Sequence, residues 1–592
     1  MIGLGLFMYL ISAGLVISFL VMLYSLYINR RIIANILKES RLSKEQLLIA
    51  LLITVIFALF IAASVKPTQQ LFYDDLIYMG MAQQFIHQFQ FWMCNYGSGV
   101  RCYSGQLFHE PPGASFIIAL FFIIFGSSFS SAYAAMFFTT VLGMFLTFIL
   151  ASIIFKDRYI AFSAEILYAS IPIIYQWAFS TTNDMPLLVF FIISLIGTYL
   201  YISKKDTKSF MLFISALAFL LYIKVDALLF ALFDILLLIL VYRGSIRRTA
   251  KIVASMNTIN LILLLAVIFS IAVIISYDRY ELLYGNYGVS SSSVVYIPNT
   301  CASRSMPYAS EVISNSTFSI SNLKANICGN LLFWFNAYTY LNTTTLLNGS
   351  LNNPSLNLTH PSLSYLDVPQ TFIITLVALL GIALMIIQKR DRLNGLSMLL
   401  IFISGVIFYS AFYAGSVLYG VDVRFMLPFE IIIIIGAAYF TYRIAPKRKR
   451  AIGIIISLIL TVYSIYTNYP FISIPPSHIQ QAAPARYYEI FIQQNAKNIS
   501  KSCIVFDYDP YIFQLYNLTA AQSYYIYNKS FIQNVSSRYS CAVFSYDYWC
   551  NIPPPYNSDC NYKEALTNTK VIAYNSTYNF SLIEGSFNLS NP

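Results

Sequence analysis

Charge is what this chain has least of. Only 10% of its 592 residues are Asp, Glu, Lys or Arg, with 25 acids against 36 bases. A soluble globular chain carries nearer a quarter, so that class is excluded. No C-x-x-C pair occurs among the eight cysteines, which makes a Cys-based zinc site the lesser reading of them. No cysteine falls inside a long apolar segment. No internal repeat is visible. No cleavable signal peptide is predicted either, because the first apolar segment is too long and lacks a basic leader.

What the chain has instead is apolar length: 58% of it is hydrophobic and 17% aromatic. Segments of about 20 apolar residues, enough to cross a hydrocarbon core as a helix, recur along most of it. They predict a polytopic α-helical membrane protein with about twelve spans. The spans are Gly5–Ile28, Leu47–Val65, Ala132–Phe155, Tyr159–Phe179, Met185–Ser203, Ser209–Ile223, Val225–Tyr242, Ile252–Ser276, Pro369–Gln388, Gly395–Ser416, Phe425–Arg443 and Ala451–Asn468. Lys and Arg cluster in short linkers, at 29–44, 156–158, 204–208, 243–251, 389–392 and 445–450. Placing all six in the cytoplasm satisfies the positive-inside rule and puts both termini outside. The net charge of +11 is thereby accounted for without a nucleic-acid partner. "GASFIIALFFIIFG" (113–126) is too short for a span; it is expected to lie along the outer surface as an interfacial or re-entrant helix.

Two further patterns agree with this topology. Eleven N-x-S/T sequons (Asn315, Asn342, Asn348, Asn357, Asn498, Asn517, Asn528, Asn534, Asn575, Asn579 and Asn588) fall in segments assigned outside, although linkers this short and basic leave little room for Asn and Ser. All eight cysteines also fall outside, which points to disulfides in an oxidising compartment. Cys94–Cys102 and Cys301–Cys328 are plausible local pairs, though eight cysteines allow 105 connectivities. The expected organisation is a transmembrane domain over 1–468, with outer loops at about 66–131 and 277–368, and a small extracytoplasmic C-terminal domain over 469–592. Short apolar runs such as "CIVFDY" (503–508) and "CAVFSY" (541–546) give that domain an α/β character.

In a chain this poor in acid, two adjacent carboxylates stand out: Asp74 and Asp75 in "QQLFYDDLIYMGMAQQF". The same face receives Asp184 in "STTNDMP", Lys224 and Asp226 in "YIKVDALL", Asp422 and Arg424 in "GVDVRFMLP", and His109 and Glu110 in "HEPPG". Each has a plainer reading. One aspartate of the pair could cap a helix, which leaves the second unexplained. Asp184 could cap the helix whose first turn holds Pro186. Lys224 could snorkel to headgroups. Arg424 at a helix start opposes the dipole, so its plain role is less natural.

Together these motifs resemble those of the GT-C glycosyltransferases. "YDDLIYMGMAQQF" is similar to their first-loop acidic motif, with Tyr78 as its tyrosine. "HEPPGASFIIALFFIIFG" resembles the Pro-Pro segment and juxtamembrane helix of the protein O-mannosyltransferase and lipid A aminoarabinose transferase branch, with Gly113 in place of the usual leucine. "STTNDMPLLVFFIISL" looks like the second-loop aspartate and its span, "YIKVDALLFAL" like the lysine turn, and "VRFMLPFEIII" like the Arg-aromatic-x-x-Pro segment. The likeness runs in order over about 1–470.

The resemblance implies an enzyme that moves a sugar from a dolichyl- or polyprenyl-phosphate donor to an extracytoplasmic acceptor, with inversion, at the outer face of a membrane that is expected to be the cell membrane. An inverting transfer needs a carboxylate to take the acceptor's proton and cations beside the departing phosphate. Asp74 is the expected base, with Asp75 orienting it or binding sugar hydroxyls, and Asp184 positioning a substrate. Lys224 and Arg424 are the expected phosphate ligands, and Tyr78, His109, Glu110 and Asp422 position substrate. No metal is expected to be obligatory, although Asp74, Asp75 and Asp184 are hard oxygen ligands of the kind Mg²⁺ or Mn²⁺ takes. Oligosaccharyltransferases of this fold use a metal, but their Trp-Trp-Asp motif is absent here. The rival reading is a transporter built on the intramembrane acids Glu165, Asp234 and Glu430, against which stands the lack of repeat halves or paired broken helices.

Overall fold

The computed structural model describes residues 4–284 (apart from 41, 66, 68–73, 109 and 242–244), 372–412, 422–472 (apart from 447), 484–547, 550, 560–561 and 566–588. Helices dominate. In chain order they begin with α1 (Leu4–Glu39), α2 (Lys44–Ser64) and α3 (Asp74–Gln88). A hairpin of β1 (Met93–Gly97) and β2 (Cys102–Gln106) follows. Next come α4 (Gly113–Phe125), α5 (Phe129–Phe155), α6 (Arg158–Tyr168), α7 (Pro172–Trp177), α8 (Asp184–Lys204), α9 (Thr207–Leu221), α10 (Ala227–Val241), α11 (Ser245–Ala254) and α12 (Thr258–Tyr284). After the intervening residues the bundle continues with α13 (Phe372–Ile387), α14 (Arg392–Phe412), a 3₁₀ stretch (Asp422–Phe429), α15 (Glu430–Ile444) and α16 (Ala451–Ile472).

The chain is an integral, multi-pass membrane protein. Among the described residues, eight helices are long and apolar enough to span a bilayer. Four shorter apolar helices accompany them, at Gly113–Phe125, Thr207–Leu221, Ala227–Ile239 and Phe372–Ile387. The first of these covers the segment 113–126; its 13 residues reach about 20 Å at 1.5 Å per residue, short of a bilayer core as expected.

Local chemistry sets the ends. Ser43 and Gln46 form a reciprocal capping box that starts α2. The basic linkers repeat one device. Lys156 and Lys205 end α5 and α8 in the left-handed region (φ 52° and 56°). The next residues, Asp157 and Asp206, then cap α6 and α9 with their carboxylates. The expected span Tyr159–Phe179 is broken in two, α6 and α7. Pro172 has no N–H to donate and disfavours helical geometry at the residue before it, so α6 ends at Tyr168, Ile171 is extended and the chain restarts with Pro at the first position.

The C-terminal part adds α17 (Pro484–Asn495), β3 (Cys503–Asp507), α18 (Tyr511–Gln514), β4 (Ala520–Gln522), α19 (Lys529–Ser536), β5 (Cys541–Tyr546), β6 (Leu566–Asn575) and β7 (Phe580–Phe587). β3 and β5 are the two apolar runs read as strands. The seven strands form one sheet in the order β2-β1-β4-β3-β5-β7-β6. Its centre, β4-β3-β5, is parallel and its flanks are antiparallel. The hairpin at 93–106 thus belongs to the same sheet as residues 503–587, through Tyr96↔Ala521 and Gly97↔Ala520. Disulfides join Cys94–Cys102, Cys503–Cys541 and Cys550–Cys560. The pair Cys301–Cys328 lies outside the described residues.

Candidate active site

α8 fixes the site. Its span is 94% buried, against 22% for α2, so its first residue, Asp184, opens into the interior of the bundle. The turn before it, Ser180-Thr181-Thr182-Asn183, faces the start of α3. There Asp75, fully buried, uses one oxygen to accept from the Thr181 N–H (2.7 Å), the Thr181 hydroxyl (2.9 Å) and the Ser180 hydroxyl (3.1 Å). The Thr181 hydroxyl also lies 3.0 Å from the Asp75 carbonyl oxygen. A buried carboxylate is tolerated only with such donors. Asp74, one residue earlier, is only partly buried.

From Asp184 the network runs to the α9–α10 turn. Thr182 donates its hydroxyl to Asp184 Oδ2 at 2.9 Å, and the Lys224 ammonium donates to Oδ1 at 2.8 Å. Lys224 is 2% exposed and Asp184 1%, so water does not screen the pair. Asp226 Oδ2 lies 3.8 Å from the same ammonium and accepts from the Tyr409 hydroxyl at 3.2 Å. The Phe425 ring covers Lys224 at 3.9 Å and stacks on Tyr409 with centroids 5.6 Å apart. Lys224 is therefore held by two carboxylates and an aromatic face, the last a cation–π contact.

The "HEPPG" segment docks on this turn. Glu110 Oε2 accepts from the Val225 N–H at 3.2 Å, and the Gly113 N–H donates to the Tyr222 carbonyl at 2.7 Å. A Cβ at Gly113 would sit 2.5 Å from that carbonyl oxygen. Leucine cannot occupy this position, which accounts for the departure from the usual motif. Burial pushes the Glu110 carboxyl up to about 8; Lys224 opposes this, while Asp226 and Asp184 add to it. Tyr78 is buried with its ring edge-on to Phe108 at 5.5 Å.

The structure thus links Asp75, Asp184, Lys224 and Glu110 through adjoining turns. Asp422 and Arg424 lie in the 3₁₀ stretch that carries Phe425; their side chains, and all of His109, lie outside the described residues. Ser180, Thr181 and Tyr409 were not anticipated. Three hydroxyls in a row before Asp184, in a chain this apolar, were the available signal for the first two. Tyr409 sits within a span and gave none.

Among the described residues, ligand-type groups converge at Cys503, Cys541 and Glu584 and at Asp547, Cys550 and Cys560, and both clusters contain a disulfide. For a metal shared by Asp74, Asp75 and Asp184, the fit is poor at Asp184, whose two oxygens already take the Lys224 ammonium and the Thr182 hydroxyl, and one oxygen of Asp75 is held by protein donors. Two of the three acids of the rival reading, Glu165, Asp234 and Glu430, have hydroxyl donors inside the bundle, each of the two on at least one oxygen. Glu165 accepts from the Thr54 hydroxyl at 2.9 Å, and Asp234 accepts from Ser194 and, at 3.1 Å, from Thr198.

Residues 109–275 match the family model described as dolichyl-phosphate-mannose-protein mannosyltransferase. Apo ArnT from Cupriavidus metallidurans superimposes with a TM-score of 0.54 at 12% identity, covering 92% of this chain and 99% of its own. The chain has the GT-C fold. A second structure of the same ArnT, bound to undecaprenyl phosphate, covers 93% of this chain and 100% of its own, at 10% identity and a TM-score of 0.53. The archaeal oligosaccharyltransferase AglB from Archaeoglobus fulgidus is similar at 12% identity and a TM-score of 0.43, over 93% of this chain and 75% of its own. No curated protein matches the chain. Within this GT-C fold, the matched segment begins in the "HEPPG" motif and contains both Asp184 and Lys224.

Proposed function

We propose that the protein is a membrane glycosyltransferase that moves a sugar from a dolichyl- or polyprenyl-phosphate donor to a hydroxyl acceptor on the extracytoplasmic face, with inversion. The observation that carries this is the division of labour between the adjacent acids. Asp75 is fully buried and has one oxygen held by three donors from the 180–181 turn, whereas Asp74 is partly exposed beside it. Asp75 fixes the start of α3, and Asp74 is then the base that takes the acceptor's proton as its oxygen attacks the anomeric carbon. The C–O bond to the lipid phosphate breaks with the electron pair leaving on the phosphate oxygen.

Lys224 and Arg424 are the cations for that growing charge. Asp184 holds the Lys224 ammonium in place and the Phe425 ring covers it. Glu110, pushed toward its neutral form, keeps a third carboxylate charge from competing for the ammonium. His109, Asp422 and Tyr78 are assigned to substrate positioning. The ArnT structure with undecaprenyl phosphate supports a lipid-phosphate donor for a bundle of this shape. The family match supports mannose or a related sugar as the cargo. Residues 1–468 form the transmembrane unit in this reading, and 469–592 an extracytoplasmic α/β domain that also recruits the 93–106 hairpin.

The test uses full-length protein in nanodiscs with a panel of polyprenyl-phosphate hexoses and pentoses. Asp74→Asn is expected to lower turnover by about 10²–10⁴-fold, the range for a general base. Glycan mass spectrometry of a strain lacking the gene names the acceptor by the sugar that goes missing. Full turnover in both Asp74→Asn and Asp75→Asn sinks the reading.

A further inference from the structure

Helix α3 carries the acid pair at its first two positions, and every residue from Asp75 to Phe85 is buried. Its neighbour on one side is α4; on the other it meets α18 and β1 of the sheet. The contact with α18 is made at a glycine. A Cβ on Gly80 would lie 3.1–3.4 Å from the Tyr511 ring, so the ring seats directly against the helix backbone. Tyr511 is itself fully buried, and its hydroxyl donates to Asn95 Oδ1 on β1 at 3.3 Å. Beside it, Gln514 donates to the Cys94 carbonyl at 3.0 Å. Gln84 of α3 donates to the Ser98 carbonyl in the hairpin turn at 3.1 Å.

These contacts close a triangle of α3, the disulfide-bonded hairpin and α18. Gly80 is six residues beyond Asp74, about 9 Å along the axis, and α3 is a rigid element over that distance. At its other end α3 is pinned by Asp75 on the 180–181 turn. An axial or rotational slip of α3 therefore moves Asp74 unless both ends are held.

We infer that Tyr511 is a positioning residue for the acid pair: the sheet holds α3 in register through the Tyr511–Gly80 seat, so the C-terminal part of the chain is a component of the catalytic apparatus. This rests on the function proposed above. It also goes beyond it, since that reading places no chemistry or positioning in residues 469–592. Tyr511 touches no substrate; its effect runs through α3.

The experiment combines donor turnover with amide hydrogen exchange of residues 74–88, on full-length protein in nanodiscs. Tyr511→Ala is expected to lower kcat by roughly 10- to 100-fold, the scale of an ångström-sized misplacement. Donor KM stays within about twofold, since the phosphate ligands are elsewhere, and α3 amides exchange at least about tenfold faster. Tyr511→Phe keeps the ring that seats on Gly80 and loses the hydroxyl that bonds Asn95, so it retains both properties. Gly80→Ala pushes a methyl against the ring from the opposite side and reproduces the loss in milder form. It carries the test if Tyr511→Ala does not fold. Unchanged α3 exchange in Tyr511→Ala overturns the inference, as do faster exchange with unchanged kcat and a Tyr511→Phe that fails like alanine. In the fallback, Gly80→Ala with both quantities unchanged overturns it too. A wild-type protein that turns over no lipid-phosphate sugar brings down the proposed function instead, and the exchange comparison still decides whether Tyr511 holds α3.

Discussion

Lys224→Met removes one ammonium and changes little volume, which makes it a clean probe of the buried cluster. At an effective dielectric of about 20, the 2.8 Å contact with Asp184 is worth about 6 kcal/mol gross, and the 3.8 Å contact with Asp226 about 4 kcal/mol. Desolvation of the three groups takes much of this back. The remaining expectation is that breaking the pair costs about 3–5 kcal/mol, because Asp184 and Asp226 are left buried without their cation. Replacing both partners, Lys224→Met with Asp184→Asn, leaves less uncompensated charge and is expected to cost less than the sum of the single changes. The assay is a double-mutant cycle on unfolding in mixed micelles, with a coupling energy of about 2 kcal/mol or more. Additive single losses, each under about 1 kcal/mol, would show that no buried ion pair organises this turn. Asp226 is the control: Asp226→Asn leaves the shorter contact intact and costs less than Asp184→Asn.

Two further outcomes follow from the geometry. Glu110 is raised from 4.5 to about 8 by burial, so the folded protein holds its proton more tightly than the unfolded chain. The stability this gives is fully present below about pH 4.5 and is lost as pH rises through about 8. Glu110→Gln is expected to flatten stability against pH over that window, and a wild-type slope in the variant would refute it. The Cys503–Cys541 disulfide closes 38 residues between adjacent parallel strands. Loop entropy assigns it about 4 kcal/mol, and Cys503→Ser with Cys541→Ser is expected to lower the denaturation midpoint of the sheet while leaving the bundle's helicity unchanged by circular dichroism.

Much of the architecture was legible because it follows from local rules. Apolar length marked the bundle, and the alternating sides of successive linkers brought Asp184 and Lys224 to one face before any coordinates. The strands at 503 and 541 and the Cys94–Cys102 pair were local patterns as well. Two things were not local. The Ser180 and Thr181 donors to Asp75 lie 105 and 106 residues away, and the Tyr409 hydroxyl that donates to Asp226 lies 183 away; donors at such separations carry no periodicity. The hairpin's entry into the sheet rests on backbone pairing of Gly97 with Ala520, which side-chain patterns do not encode. The break at Ile171 was readable in principle from Pro172, but the hydropathy on either side masked it.

The shared sheet also has a consequence for biosynthesis. β1 cannot acquire its second neighbour until residues 520–521 exist. At synthesis rates of about 5–20 residues per second, the roughly 420 intervening residues impose a wait of about 20–90 s. During that interval most of the bundle is inserted while the hairpin shows an unpaired backbone edge, a hazard for mispairing. The Cys94–Cys102 bond ties β1 to β2 within the ribbon itself, so once formed it holds the ribbon closed without the rest of the sheet. The last fifth of translation is then what completes the wall behind the first acid pair made, and a nascent chain halted before residue 511 would carry every acid and cation of the site without the Tyr511 seat on α3.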